Sequence, residues 1–249
     1  MGNKAALITG VGRRNGIGRA IALRLAHDGW DIAFSFWRPY EQRQSLGAPD
    51  TDPESIASEL RATGRRVVAI EVDLEDPATP DALLAQANRE LGPVTALVLS
   101  HSESVDSSIL DTTIESFDRH FAVNTRAAWL MIAAFARQVP ESGGAIVVLT
   151  SDHVAHNLPY GASKGALDRI VSAAAVELGP LGIRANSLNP GPIDTGWMTD
   201  GVRAELTARQ PTGRLGTPDD TADIVSFLVS DQGGWVSGQL LKSDGGFSA

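Results

Sequence analysis

The chain reads as an α/β protein built on a parallel, doubly wound sheet, and three observations predict it. Seven short apolar runs alternate with longer helical patterns from end to end. Several runs are continuous rather than alternating, as strands covered on both faces are. The first run passes through a glycine-rich turn straight into a helical pattern. Together these make the βαβα rhythm of a parallel sheet flanked by helices on both faces.

In chain order, strands are expected at 5–9, 32–36, 67–72, 96–99, 145–150, 185–188 and 239–242, giving a seven-stranded sheet. Helices are expected over 16–28, 53–63, 80–91, 114–138, 160–179 and 218–230. Pro53, Pro80 and Pro218 stand near helix starts, with Asp52, Thr79 and Thr217 before them as candidate N-caps. Residues 37–52 read as a polar loop with two prolines, and 190–212 as a long irregular stretch. No repeat, low-complexity tract or linker interrupts the pattern, so one domain over residues 1–249 is expected.

Composition narrows the function classes. At 249 residues one domain can bury a large core. A net charge of −9 argues against a nucleic-acid partner, which would want a basic face. The absence of cysteine excludes disulfides and thiolate metal sites, and no metal is expected. The first residues reach Gly10 too soon for a secretory apolar core, and the longest apolar run, 127–136, is about half a membrane span. A soluble cytoplasmic protein with no membrane partner is expected.

Two motifs carry chemistry. Tyr160 and Lys164 are four residues apart, so in a helix both leave one face. A phenol is a poor base at neutral pH, and a neighbouring ammonium favours its ionised form. Gly10-Val11-Gly12-Arg13-Arg14-Asn15-Gly16-Ile17-Gly18 follows the first strand. Glycines there let backbone N–H groups approach a pyrophosphate at a helix N-terminus. A tight turn that binds nothing would show the same residues.

With these motifs joined, the chain resembles the short-chain dehydrogenase/reductase family, in its compact single-domain branch with a Rossmann-type fold. Further matches are Asp73-Leu74, Asn124, Ser151, Asn189-Pro190-Gly191-Pro192-Ile193-Asp194-Thr195, Ser237-Gly238-Gln239 and Asp244-Gly245-Gly246. The resemblance implies a catalytic group of Asn124, Ser151, Tyr160 and Lys164. Tyr160 would exchange a proton with the substrate oxygen, and Ser151 would hold that oxygen. Lys164 would lower the pKa of Tyr160 and hold the nicotinamide ribose, while Asn124 would support a proton-relaying water. The implied cofactor contacts are Gly10, Arg13, Arg14, Gly16, Ile17, Gly18, Arg38, Asp73, Leu74, Ser100, Asn124, Tyr160, Lys164, Pro190, Gly191, Ile193 and Thr195. Asp73 reads equally as a cap at a strand end, and Ser151 as turn material.

Three departures from the family pattern stand out. Five residues separate Gly10 from Gly16 where three are usual. The fourth strand ends in Leu99-Ser100-His101-Ser102 instead of Asn-Asn-Ala-Gly, and His101 reads as a packed or solvated histidine. Ser151 precedes Tyr160 by nine residues where about thirteen are usual.

No carboxylate ends the second strand until Glu41, whereas Arg13, Arg14 and Arg38 lie nearby. Guanidinium groups suit a 2′-phosphate, so NADP(H) is favoured, with NAD(H) possible. The expected reaction is hydride transfer between that cofactor and a small-molecule carbonyl or secondary alcohol. The alternative is a catalytically inactive regulatory protein that keeps the cofactor fold. Gly161-Ala162-Ser163-Lys164-Gly165 matches a hydrolase nucleophile elbow, but residues 156–160 before it do not form the strand an elbow needs. Residues 193–212, with Trp197 and Met198, are expected to line or cover the pocket. The apolar face of Trp129, Leu130, Met131, Ile132 and Phe135 suggests a homo-oligomer, a tetramer or dimer, although core burial explains the same residues.

Overall fold

The computed structural model describes residues 4–43 and 52–249. Its strands are β1 (Ala5–Thr9), β2 (Asp31–Phe36), β3 (Val67–Glu71), β4 (Val94–Leu99), β5 (Gly144–Leu149), β6 (Ile183–Asn189) and β7 (Leu240–Lys242). They form one sheet in the order β3-β2-β1-β4-β5-β6-β7, parallel throughout, as the continuous apolar runs imply. The helices are α1 (Ile17–His27), α2 (Arg38–Arg43), α3 (Asp52–Ala62), α4 (Thr79–Leu91), α5 (Ile114–His120), α6 (Ala127–Gln138), α7 (Leu158–Glu177), α8 (Asp200–Arg209) and α9 (Pro218–Val229).

Strand periodicity of two divides the core. Leu7, Leu97, Ile146 and Val148 face one layer, where Leu84 of α4, Met131 and Phe135 of α6 and Leu167 of α7 pack. Ile8, Phe34, Val98 and Val147 face the other, against Ile21 and Leu25 of α1, Ile56 and Leu60 of α3 and Leu228 of α9. The edge strand β7 is half exposed, while β1 is buried along its whole length. The strand order reverses between β1 and β4, which opens a crevice at their carboxyl ends.

Several local expectations need correction. Residues 200–209 are helical rather than irregular, because Thr199 caps α8 by accepting from the Val202 N–H. The expected loop at 37–52 contains α2, and its residues 44–51 lie outside the described residues. Thr217 caps α9 in a reciprocal box with Asp220. Thr79, by contrast, is the first helical residue of α4, and Ala78 precedes it without a side-chain cap. Asp52 is the first residue of α3, and its carboxylate accepts from the Arg14 N–H at 3.0 Å. The helix expected over 114–138 is broken by a π-helical segment, Phe121–Arg126, of the kind often found at functional sites. Among the described residues no helix is long and apolar enough to cross a membrane.

Candidate active site

A cleft of about 1150 Å³ lies over the carboxyl ends of β1 and β4. The glycine loop lines it through Gly10, Gly12, Arg13, Gly16, Ile17 and Gly18. Gly10 has a φ of +75°, and a Cβ there would stand 2.7 Å from the His101 backbone. At Gly18 a Cβ would come 2.6 Å from the Gly10 carbonyl, so α1 can approach β1 only without a side chain. Gly16 precedes α1 at a φ of −79°, which any residue could adopt.

His101 explains how the unusual end of β4 is held. Its Nε2 lies 3.0 Å from the Val123 carbonyl, which can only accept, so Nε2 donates. Nδ1 then accepts from the Thr9 hydroxyl at 2.6 Å. Thr9 Oγ1 in turn accepts from the Ser100 N–H at 3.1 Å. Burial pushes the imidazole pKa down to about 3, with Lys164 adding to the fall, so the ring is neutral. His101 is therefore a packed histidine that ties β1, β4 and the π segment together.

Asn124, on that π segment, accepts from the Glu103 N–H at 2.7 Å. It donates to the Glu103 carbonyl and to Ser163 Oγ, both at 2.9 Å. Its side chain is buried and does not line the cleft. Ser163 lies inside α7, fully buried, and donates to the Tyr160 carbonyl at 2.8 Å, which leaves no exposed nucleophile elbow.

Helix α7 brings Tyr160 and Lys164 to the cleft one turn apart. The Lys164 ammonium donates to the Leu149 carbonyl at 2.9 Å and stands 5.8 Å from the Tyr160 ring centroid. Burial lowers its pKa to about 8, against a raising pull from Asp168. Burial pushes the Tyr160 phenol up, and the opposing pull comes from a hydrogen bond to the Ser151 hydroxyl. The lowering expected from Lys164 does not enter: in the isolated chain desolvation of the phenol wins, opposed by Ser151. Despite the shortened connection, Ser151 lines the same cleft as Tyr160. Its hydroxyl also accepts from the His153 N–H at 3.2 Å.

Of the expected cofactor contacts, Gly10, Arg13, Gly16, Ile17, Gly18, Asp73, Leu74, Ser100, Pro190, Gly191, Ile193 and Thr195 line the cleft with Tyr160 and Lys164. Asp73 accepts from the Glu75 N–H at 2.8 Å, closing an Asx turn rather than capping a helix. Arg14 and Arg38 do not line the cleft. Arg38 is bound by the carboxylates of Glu54 and Glu71 and stacks over Phe36. Trp197 lines the cleft as expected, whereas Met198 is buried away from it. Helix α8 adds Val202, Leu206 and Arg209, and Arg209 stacks over Phe247 at 4.6 Å.

Sequence reasoning missed Tyr40, Glu41 and Arg43 of α2 and Glu103 after β4, all lining the cleft. Arg43 pairs with the buried Glu103 at 2.9 Å. Tyr40 has its pKa raised by burial and then by Glu103 and Glu41. The absence of a carboxylate at the β2 terminus was the available signal, since it sends attention to Glu41, the next one along.

A family model described as Enoyl-(Acyl carrier protein) reductase matches residues 10–248. The chain is 36% identical to the Uncharacterized oxidoreductase YjdA of Bacillus subtilis, covering 98% of this chain and 96% of that one. It is 31% identical to an NADPH-dependent aldehyde reductase-like chloroplastic protein of Arabidopsis thaliana, covering 99% and 95%. A blue fluorescent protein from a metagenomic library, solved in complex with NADPH, superposes with a TM-score of 0.89 at 36% identity, covering 100% of this chain and 99% of that one. Matching in sequence and fold over essentially the whole length, the chain belongs to the short-chain dehydrogenase/reductase family of NAD(P)-dependent oxidoreductases.

Proposed function

We propose that this protein transfers hydride between NADP(H) and a carbonyl or secondary alcohol, with Tyr160 as general acid and base. One observation carries the reading: the Tyr160 phenol, the Ser151 hydroxyl and the Lys164 ammonium share one cleft with the glycine loop. The cleft suits a dinucleotide, because Gly10 and Gly18 let the loop and the start of α1 pack tightly against β1 and the end of β4, which presents a helix N-terminus to the cleft. Residues 10–18, Asp73, Leu74, Ser100 and 190–195 would hold it. When bound, the nicotinamide supplies or accepts the hydride.

The chain's own residues handle the proton. With its pKa above the ordinary phenol value, Tyr160 is protonated at neutral pH and can donate to a carbonyl oxygen during reduction. Ser151 can donate to the same oxygen as charge develops on it. Lys164 places its cation beside the phenolate that remains. Asn124 acts by holding the Glu103 backbone against α7, which positions the wall of the cleft.

The preference for NADP(H) draws support from Arg13 in the cleft and from the NADPH named for two relatives, while NAD(H) remains compatible. Arg38 gives no such support, since Glu54 and Glu71 already hold it. We also propose self-association through α6, where Trp129 stays 53% exposed while Met131, Ile132 and Phe135 enter the core.

The test is a panel of carbonyls and alcohols with NADPH and NADH, followed by nucleotide absorbance. Tyr160→Phe is expected to lower kcat by about 10²–10⁴-fold while NADPH still binds. Full activity in that variant removes Tyr160 from the reaction. NADPH binding without turnover of any substrate would favour the regulatory alternative.

A further inference from the structure

Arg13 is the only arginine of the glycine loop that faces the cleft. It is already engaged there. Its Nη1 donates to the Thr195 carbonyl at 3.0 Å, spanning from the loop after β1 to the loop after β6. Its Nε lies 3.1 Å from Glu41 Oε2, with the two side chains 20% and 18% exposed. Glu41 also covers Gly12: a Cβ built on that glycine would lie 2.9 Å from Glu41 Oε1. A carboxylate thus stands over a glycine of the loop and against its arginine, where an anionic ligand approaching that backbone has to go.

The occupant is poorly held. Buried Glu41 Oε2 makes no well-aligned hydrogen bond, so the pair rests on charge attraction alone. A phosphate offers Arg13 a bidentate partner of higher charge. Helix α2, which carries Glu41, is a short surface element without a buried residue. A second carboxylate, Asp52, occupies the Arg14 N–H on the same loop.

We propose that Glu41 is an internal stand-in for a dinucleotide phosphate, and that cofactor binding displaces it from Arg13. Glu41 therefore determines affinity: it competes with the ligand for one guanidinium and weakens binding of the phosphate-bearing cofactor. This inference rests on reading the cleft as a dinucleotide site.

The experiment titrates ligand-free wild-type, Glu41→Gln, Glu41→Ala, Arg13→Ala and Arg13→Ala/Glu41→Gln proteins with NADPH and with NADH. Binding is followed by nucleotide fluorescence, and thermal unfolding of each free protein confirms that it is folded. Both Glu41 variants are expected to bind NADPH about three- to tenfold more tightly than wild type. The gain should vanish when Arg13 is absent, because Glu41 then has no cation to withhold. Equal tightening for NADPH and NADH supports displacement by the diphosphate, and tightening confined to NADPH supports displacement by the 2′-phosphate. Unchanged or weaker binding in both Glu41 variants overturns the proposal, as does a gain that survives loss of Arg13. Folded wild-type protein that binds neither nucleotide would overturn the functional reading itself.

Discussion

The Lys164 ammonium stands 5.8 Å from the Tyr160 ring centroid and is anchored on the Leu149 carbonyl at 2.9 Å. One turn of α7 supplies both side chains, and the end of β5 supplies the anchor. Lys164 is buried and Tyr160 half-buried at the cleft wall, so the charge state of the pair depends more on desolvation than on distance.

A pH dependence follows from that burial. Lys164 loses its charge as pH rises through about 8, while the phenol stays protonated. The rate of carbonyl reduction should therefore fall above about pH 8, as the cation that stabilises the departing phenolate is lost. A kcat profile flat to about pH 9 would contradict this. The stability sign is separate. The native state gives up this proton before the unfolded chain, whose lysine titrates near ~10.4, so this group makes stability rise with pH across that window.

His101 should prove structural. Its neutral ring links Thr9 to the Val123 carbonyl, so His101→Ala is expected to lower unfolding free energy by about 1–3 kcal/mol in urea titrations. The kcat should change only a few-fold. Because the folded ring titrates at about 3 and a free histidine near ~6.5, this group makes wild-type stability fall as pH drops below ~6.5. The alanine variant should lose that part of the acid sensitivity.

Asn124→Ala is expected to cost about 2–3 kcal/mol, since it strips partners from both the N–H and the carbonyl of buried Glu103. Ser163→Ala should cost less, as it removes a hydroxyl whose neighbours keep other contacts. Equal losses in chemical denaturation would show that the Asn124 bonds to the Glu103 backbone are not the main stabilising feature.

Two glycines in helices should respond in opposite directions. Gly165 lies on the exposed face of α7 with nothing within 4 Å of a built Cβ, so Gly165→Ala should stabilise by about 0.5–1 kcal/mol. Gly18→Ala places a methyl 2.6 Å from the Gly10 carbonyl and should destabilise the protein and weaken nucleotide binding. Urea midpoints for the two variants check both directions.

Much of this architecture was legible beforehand for local reasons. Strands buried on both faces announce themselves as continuous apolar runs, and the four-residue spacing of Tyr160 and Lys164 places them on one helical face. Helix α8 was missed because its run of charged and small residues carries no apolar stripe, and it buries no residue. The break between α5 and α6 left no trace, since a π segment keeps helical composition while shifting its hydrogen bonds.

By itself the sequence determined the alternation of strands and helices, the two-sided core and the placing of Tyr160 and Lys164 on one helical face. Those features depend on short periodicities that survive without knowledge of the neighbours. Tertiary structure alone decided the partners: Arg38 on Glu54 and Glu71, Arg13 between Glu41 and Thr195, Asn124 on Glu103, and His101 between Thr9 and Val123. Charge and hydrogen bonding act over a few ångströms, and only the order of strands in the sheet brings residues so distant in the chain within that reach.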